Sequence, residues 1–153
     1  MGNIFNDDFH DFIIALNHYQ VEYILVGGYS VILHGYSRTT GDLDIWVKKT
    51  SENYSRLEKS FYLFGMPVFD MTEDNFLNNS FFDVFSFGRP PVSIDIMTEV
   101  KGLDFDDAFK ESKVVEVEGL SIRLIDYFHL LRAKKSSGRP KDNDDLENLI
   151  EKQ

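Results

Sequence analysis

Cysteine is absent from the 153 residues, and with it go disulfides, thiolate metal centres, iron–sulfur clusters and thiol nucleophiles. A reducing compartment, with the cytoplasm as the default, is the expectation. Histidine is scarce, at four dispersed positions, so no zinc site suggests itself. Proline is equally scarce, at four, and falls between segments as punctuation rather than in a low-complexity tract. No apolar run approaches membrane-spanning length, and the acidic start at Asp7, Asp8 and Asp11 is unlike a secretory leader. Cations are outnumbered 26 to 16, leaving a formal charge of −10 that opposes tight non-specific binding to nucleic acid. What is plentiful is apolar material: 42% hydrophobic residues, including 14 Phe and 7 Tyr, exclude a disordered chain.

The spacing predicts one domain over residues 1–153, with a helical segment from about 124 onward. Phe9, Phe12, Ile13 and Leu16 share a helical face behind Asn6, a fitting cap. Tyr23 to Val26 is a fully apolar strand ending at Gly27 and Gly28, and a short helix is expected over 29–34. Asp42 to Val47 alternates, with Leu43, Ile45 and Val47 on one face and Asp42, Asp44 and Trp46 on the other. A helix over 51–64, a short one over 72–77, strands over 81–87 and 92–97, a weak helix over 103–109 and two strands within 114–122 follow. The order implies an α+β fold, a mixed sheet flanked by helices.

Asp42 and Asp44, two apart on one strand, project from the same side roughly 6 to 7 Å apart. Such a pair either faces solvent or grips a hard cation such as Mg²⁺ or Mn²⁺. Asp95, between Ile94 and Ile96, either faces water by alternation or requires a metal or a base beside it. Gly27 and Gly28 suit either a tight turn or a phosphate approached by backbone N–H groups, with the Ser30 hydroxyl close by. Neither a Walker A loop nor a dinucleotide fingerprint is present. Arg38 could reach a triphosphate, clamp Asp42 or make a surface ion pair. Arg132, Lys134, Lys135, Arg139 and Lys141 could neutralise phosphate charge or form a solvated helix end. His34 reads as a structural histidine.

In order, Val26-Gly-Gly-Tyr-Ser30, His34-Gly-Tyr-Ser-Arg38-Thr-Thr-Gly-Asp42-Leu-Asp44 and a later-strand Asp95 resemble the minimal nucleotidyltransferases of the DNA polymerase β-like superfamily. The tail Lys134-Lys-Ser-Ser-Gly-Arg-Pro-Lys-Asp142-Asn-Asp-Asp145 is similar to the AbiEii-type branch, which includes toxins of toxin–antitoxin systems. The resemblance implies a polymerase β-like fold with C-terminal helices and transfer of an NMP from an NTP to a hydroxyl acceptor. Asp42, Asp44 and Asp95 would be catalytic metal ligands, with Gly27, Gly28, Ser30, Arg38, Thr40, Lys134 and Lys141 on the NTP. The acceptor would be a protein, a tRNA or a small molecule, and an antitoxin a further partner; no membrane partner is expected from the sequence. Tyr29 departs from the pattern, being bulkier than the small residue many members place in the glycine turn. A catalytically silent binding or regulatory domain of the same fold is the second reading. A glycosyltransferase using Asp42-Leu-Asp44 is the third, and the chain is short for it.

Overall fold

The computed structural model describes residues 4–89 and 92–151. Helix α1 (Asp7–His18) starts where Asn6 accepts a hydrogen bond from the Phe9 N–H, and it buries Phe9, Phe12, Ile13, Ala15 and Leu16. Strand β1 (Tyr23–Val26) is buried throughout and passes directly into α2 (Gly27–Leu33). That helix begins two residues before the expected Tyr29. Gly27 sits at φ +71°, a conformation glycine reaches without strain, so the strand turns into the helix with no intervening loop.

Strand β2 (Asp42–Val47) leads to α3 (Ser51–Phe64), capped by Thr50 and closed by Gly65 in the left-handed region. After α4 (Glu73–Asn78), strands β3 (Val84–Arg89) and β4 (Val92–Met97) pair antiparallel. Strand β3 starts three residues later than its alternation suggests, because Phe82 N–H closes a turn on Asn79 and leaves Phe81 in solvent. The Pro90 and Pro91 expected at this hairpin lie outside the described residues. Helix α5 (Phe105–Glu111) begins behind its cap Asp104, then β5 (Lys113–Val117) and β6 (Leu120–Leu124) form a second hairpin. Helices α6 (Tyr127–Ser137) and α7 (Pro140–Glu151) complete the chain's described part, separated by Gly138.

Six strands form one mixed sheet in the order β3-β4-β2-β1-β6-β5. Strand β2 runs antiparallel to β1 and parallel to β4, while β1 and β6 are parallel, so the α+β expectation holds. One face, with Leu43, Ile45, Ile94, Ile96 and Phe87, is covered by α1 and α3; Phe61 packs edge-on against both Phe12 and Phe87. The opposite face carries Asp44 and Asp95 at its centre. Trp46, on that face as expected, is nonetheless buried, because Phe105 of α5 packs edge-on against its ring at 5.1 Å. Covering that end leaves the acidic half of the face open toward α6.

Candidate active site

Parallel pairing of β2 with β4 sets Asp44 directly opposite Asp95, while Asp42 falls opposite Ser93. Neighbouring strands stand about 4.8 Å apart, so the two facing carboxyls share one small space. One oxygen of Asp95, Oδ1, is buried with no hydrogen-bond partner. Burial first, then the Asp95 and Asp42 charges, push the Asp44 carboxyl up to about 7 against a weaker pull from Lys134. Asp42 is turned aside, its Oδ1 accepting from the Ser93 hydroxyl at 2.8 Å. Among the described residues no three acidic, His or Cys side chains converge as a ready metal cage. What is assembled is a pair, with the third carboxylate held by Ser93 two residues along the same strand face. A pair fits Mg²⁺ or Mn²⁺, which takes one or two carboxylates and completes its shell with water and phosphate oxygens. The orphaned Asp95 oxygen and the reluctance of Asp44 to ionise both mark a place where a cation is favourable.

The glycine turn lies against this pair. A Cβ on Gly27 would fall 1.9 Å from Asp44 Oδ2, and one on Gly28 would fall 2.5 Å from Thr40 Oγ1 and 3.1 Å from the Arg38 guanidinium. Gly27, Gly28, Arg38, Thr40 and Asp44 are therefore brought together around one backbone turn. Ser30 is placed underneath it: fully buried, its hydroxyl donates to the Gly27 carbonyl at 2.6 Å and holds the turn's shape. The bulk of Tyr29 goes into the core between Phe5 and Phe9, so it does not crowd the turn. His34 Nε2 pairs with the Ile125 carbonyl at 2.7 Å, a structural role.

Three of the cations, Arg38, Lys134 and Arg139, are tied to α7. Arg38 reaches neither Asp42 nor open solvent but pairs with Asp145, Nε to Oδ1 at 3.0 Å and a second nitrogen to Oδ2 at 3.2 Å. Lys134 of α6, only 7% exposed, stands 3.2 Å from both Asp142 and Asp145. Arg139 pairs with Asp142 at 2.7 Å. Burial raises the Asp142 pKa, but hydrogen bonds from Arg139, Ser137 and Lys134 outweigh it and hold the carboxyl well below its ordinary range. Lys141 is exposed on α7 and is not part of the cleft lining. Asp142 and Asp145, given no role by the sequence reading, are the residues that organise the basic side. Two carboxylates three apart behind a Lys-rich helix end were the signal available.

Between the sheet and α6 the structure leaves a cleft of about 340 Å³. Gly27, Asp44, Asp95, Lys134 and Arg139 line its polar side, and Val84, Met97, Val100 and Leu130 its apolar side. Acid pair, glycine turn and cations thus meet in a space of small-ligand size.

No family model matches the chain. No curated protein matches it either. Solved structures do match in fold. TM1012 of Thermotoga maritima, provisionally named a nucleotidyltransferase, superposes with a TM-score of 0.56 at 17% identity, covering 95% of this chain and 91% of its own. The antibiotic-resistance factor ANT(2'')-Ia gives 0.60 at 13% identity over 95% and 82%. The lincosamide antibiotic adenylyltransferase LnuA, in its lincomycin-bound form, gives 0.56 at 15% identity over 97% and 98%. At these identities the likeness is one of fold, and the fold is that of nucleotidyltransferases.

Proposed function

We propose that the chain is a Mg²⁺- or Mn²⁺-dependent nucleotidyltransferase that moves an NMP from an NTP to a hydroxyl acceptor, its site contained in one domain over residues 1–153. The observation that carries this reading is the register of Asp44 on Asp95 within a cleft that is also lined by Gly27 of the glycine turn and by Lys134. Asp44 and Asp95, joined by Asp42, would hold the metal, whose contribution when bound is to neutralise phosphate charge and polarise the phosphoryl oxygens. The bare turn admits the triphosphate close to backbone N–H groups, and the nearby cations balance its charge. The acceptor oxygen forms its bond to the α-phosphorus as the bond to pyrophosphate breaks. Asp95, one of whose oxygens has no hydrogen-bond partner, would receive the hydroxyl proton.

A small-molecule acceptor is favoured over tRNA or a protein. Residues 127–151 hold five Lys and Arg against five Asp and Glu, so the helices beside the cleft offer no net positive face to an RNA backbone. ANT(2'')-Ia and LnuA, by their names, act in antibiotic resistance and on lincosamides, which supports the same choice. The toxin–antitoxin role and an antitoxin partner rest on the tail resemblance alone. The cysteine-free composition supports a cytoplasmic setting.

Incubation with each α-³²P-labelled NTP and Mg²⁺, with and without a small-molecule cell extract, tests the reading. Transfer by wild type that is lost in Asp44→Asn is the expected result. Absence of both transfer and metal-dependent NTP binding would leave the catalytically silent binding domain as the better description.

A further inference from the structure

Asp145 is fully buried on α7 and does not itself line the cleft, yet it contacts two cations that lie near the glycine turn, Arg38 and the cleft-lining Lys134. Arg38 comes from the segment between α2 and β2, and its guanidinium lies over Gly28. Lys134 comes from α6 and faces Gly27 and Asp44 across the cleft. These two side chains come from different elements, and each is long and rotatable. A buried carboxylate is costly and needs compensation, which both cations supply. Neighbouring groups reinforce the arrangement: Asp142 shares Lys134, and Tyr36 donates to Asp144 at 3.1 Å, tying the same segment to α7 again.

We propose that Asp145 is the positioning residue of the triphosphate subsite: it fixes the Arg38 guanidinium and the Lys134 ammonium in one arrangement around the Gly27–Gly28 turn, so that both meet the phosphates without reordering. The inference rests on the nucleotidyltransferase reading of the cleft. Its physical content is preorganisation, since a cation already held in place loses little freedom when the anion arrives. The opposite possibility is concrete. Were Asp145 merely to neutralise the two cations, its removal would free positive charge and strengthen anion binding.

The test is calorimetric titration of the full chain with Mg²⁺-ATP, -GTP, -CTP and -UTP and with inorganic tripolyphosphate. Wild type is compared with Asp145→Asn, Asp145→Glu and a control, Glu147→Gln, which removes an exposed charge from the same helix. Asp145→Glu keeps the negative charge beside both cations but extends the carboxylate by about one methylene, ~1.5 Å, and a thermal melt of each variant checks that it is folded. Positioning predicts that both Asp145 variants bind tripolyphosphate and the preferred NTP about tenfold or more weakly, with KM for NTP rising further than kcat falls. The control stays within about twofold. Tighter binding in Asp145→Asn, or wild-type binding in Asp145→Glu, overturns the proposal and leaves the nucleotidyltransferase reading standing. Failure of wild type to bind any NTP or tripolyphosphate overturns both.

Discussion

Replacing Asp44 with Asn should stabilise the metal-free protein, and increasingly so as pH rises. The carboxyl stands at about 7 in the fold against an ordinary 3.8. It therefore holds its proton about three decades more tightly when folded, and at 1.36 kcal/mol per decade its ionisation costs the fold on the order of 4 kcal/mol. The sign follows from proton counting. Between 3.8 and about 7 the native state binds more protons than the unfolded chain, so stability falls as pH rises through that window and levels off above it. An amide at the same position has no charge to desolvate and can donate to Asp95. Thermal melts in EDTA between pH 5 and 8.5 read the difference. The variant's advantage should widen by roughly 2 to 3 kcal/mol from pH 5 to pH 8, which for a chain of this length is several degrees in Tm. Millimolar Mg²⁺ should close the gap from the other side, by stabilising wild type at pH 8 and leaving the variant unmoved. Parallel pH profiles for the two proteins in EDTA would refute the argument, for they would mean that Asp44 ionises without cost.

Three further outcomes are expected. Gly27→Ala places a side chain at φ +71° and within the volume of Asp44, so it should cost at least about 1 to 2 kcal/mol in urea denaturation from the backbone alone and abolish transfer by displacing the carboxylate. Asn53→Ala strips partners from the Glu22 N–H and from the Glu22 and Lys48 carbonyls beneath β1 and β2, and a loss of about 2 to 4 kcal/mol should appear as a lowered melting temperature with the site's residues untouched. Asp142, its carboxyl held low by its ion pairs, stabilises the fold above its ordinary pKa of 3.8, so the deficit of Asp142→Asn at pH 7 should shrink as pH falls below that value.

Local rules wrote most of the elements into the chain. Caps at Asn6, Thr50 and Thr72 and the stop at Gly65 mark helices where the apolar spacing places them. The same-face relation of Asp42 and Asp44 is a property of any strand. Their relation to Asp95 is different, because it depends on the parallel pairing of segments separated by a helix pair and a hairpin strand, and no period in the sequence encodes that register. Burial of Trp46 was hidden for a similar reason: alternation assigns it the acidic face, and the docking of Phe105 against its ring is tertiary. The cations were visible as a charge cluster, whereas the partners that claim them are tertiary. Arg38 looked as available for Asp42 as for a phosphate until α7 brought Asp145 alongside. Ser30 shows how a hydroxyl in the first turn of a helix is drawn to the carbonyl three residues back.

The Arg38–Asp145 pair joins positions 107 residues apart, whereas the hairpins of the sheet close over short stretches of chain. Contacts of such long span are expected late in folding, after the loop they enclose has been shortened by structure inside it. The reverse order holds on loosening. Detachment of α7 would release both cations while the sheet, α1 and α3 kept their packing, so the competent fraction of molecules is governed by the docking equilibrium of one helix and not by global unfolding. Amide exchange in α7 should accordingly track heat inactivation, and activity should fade several degrees before the sheet melts.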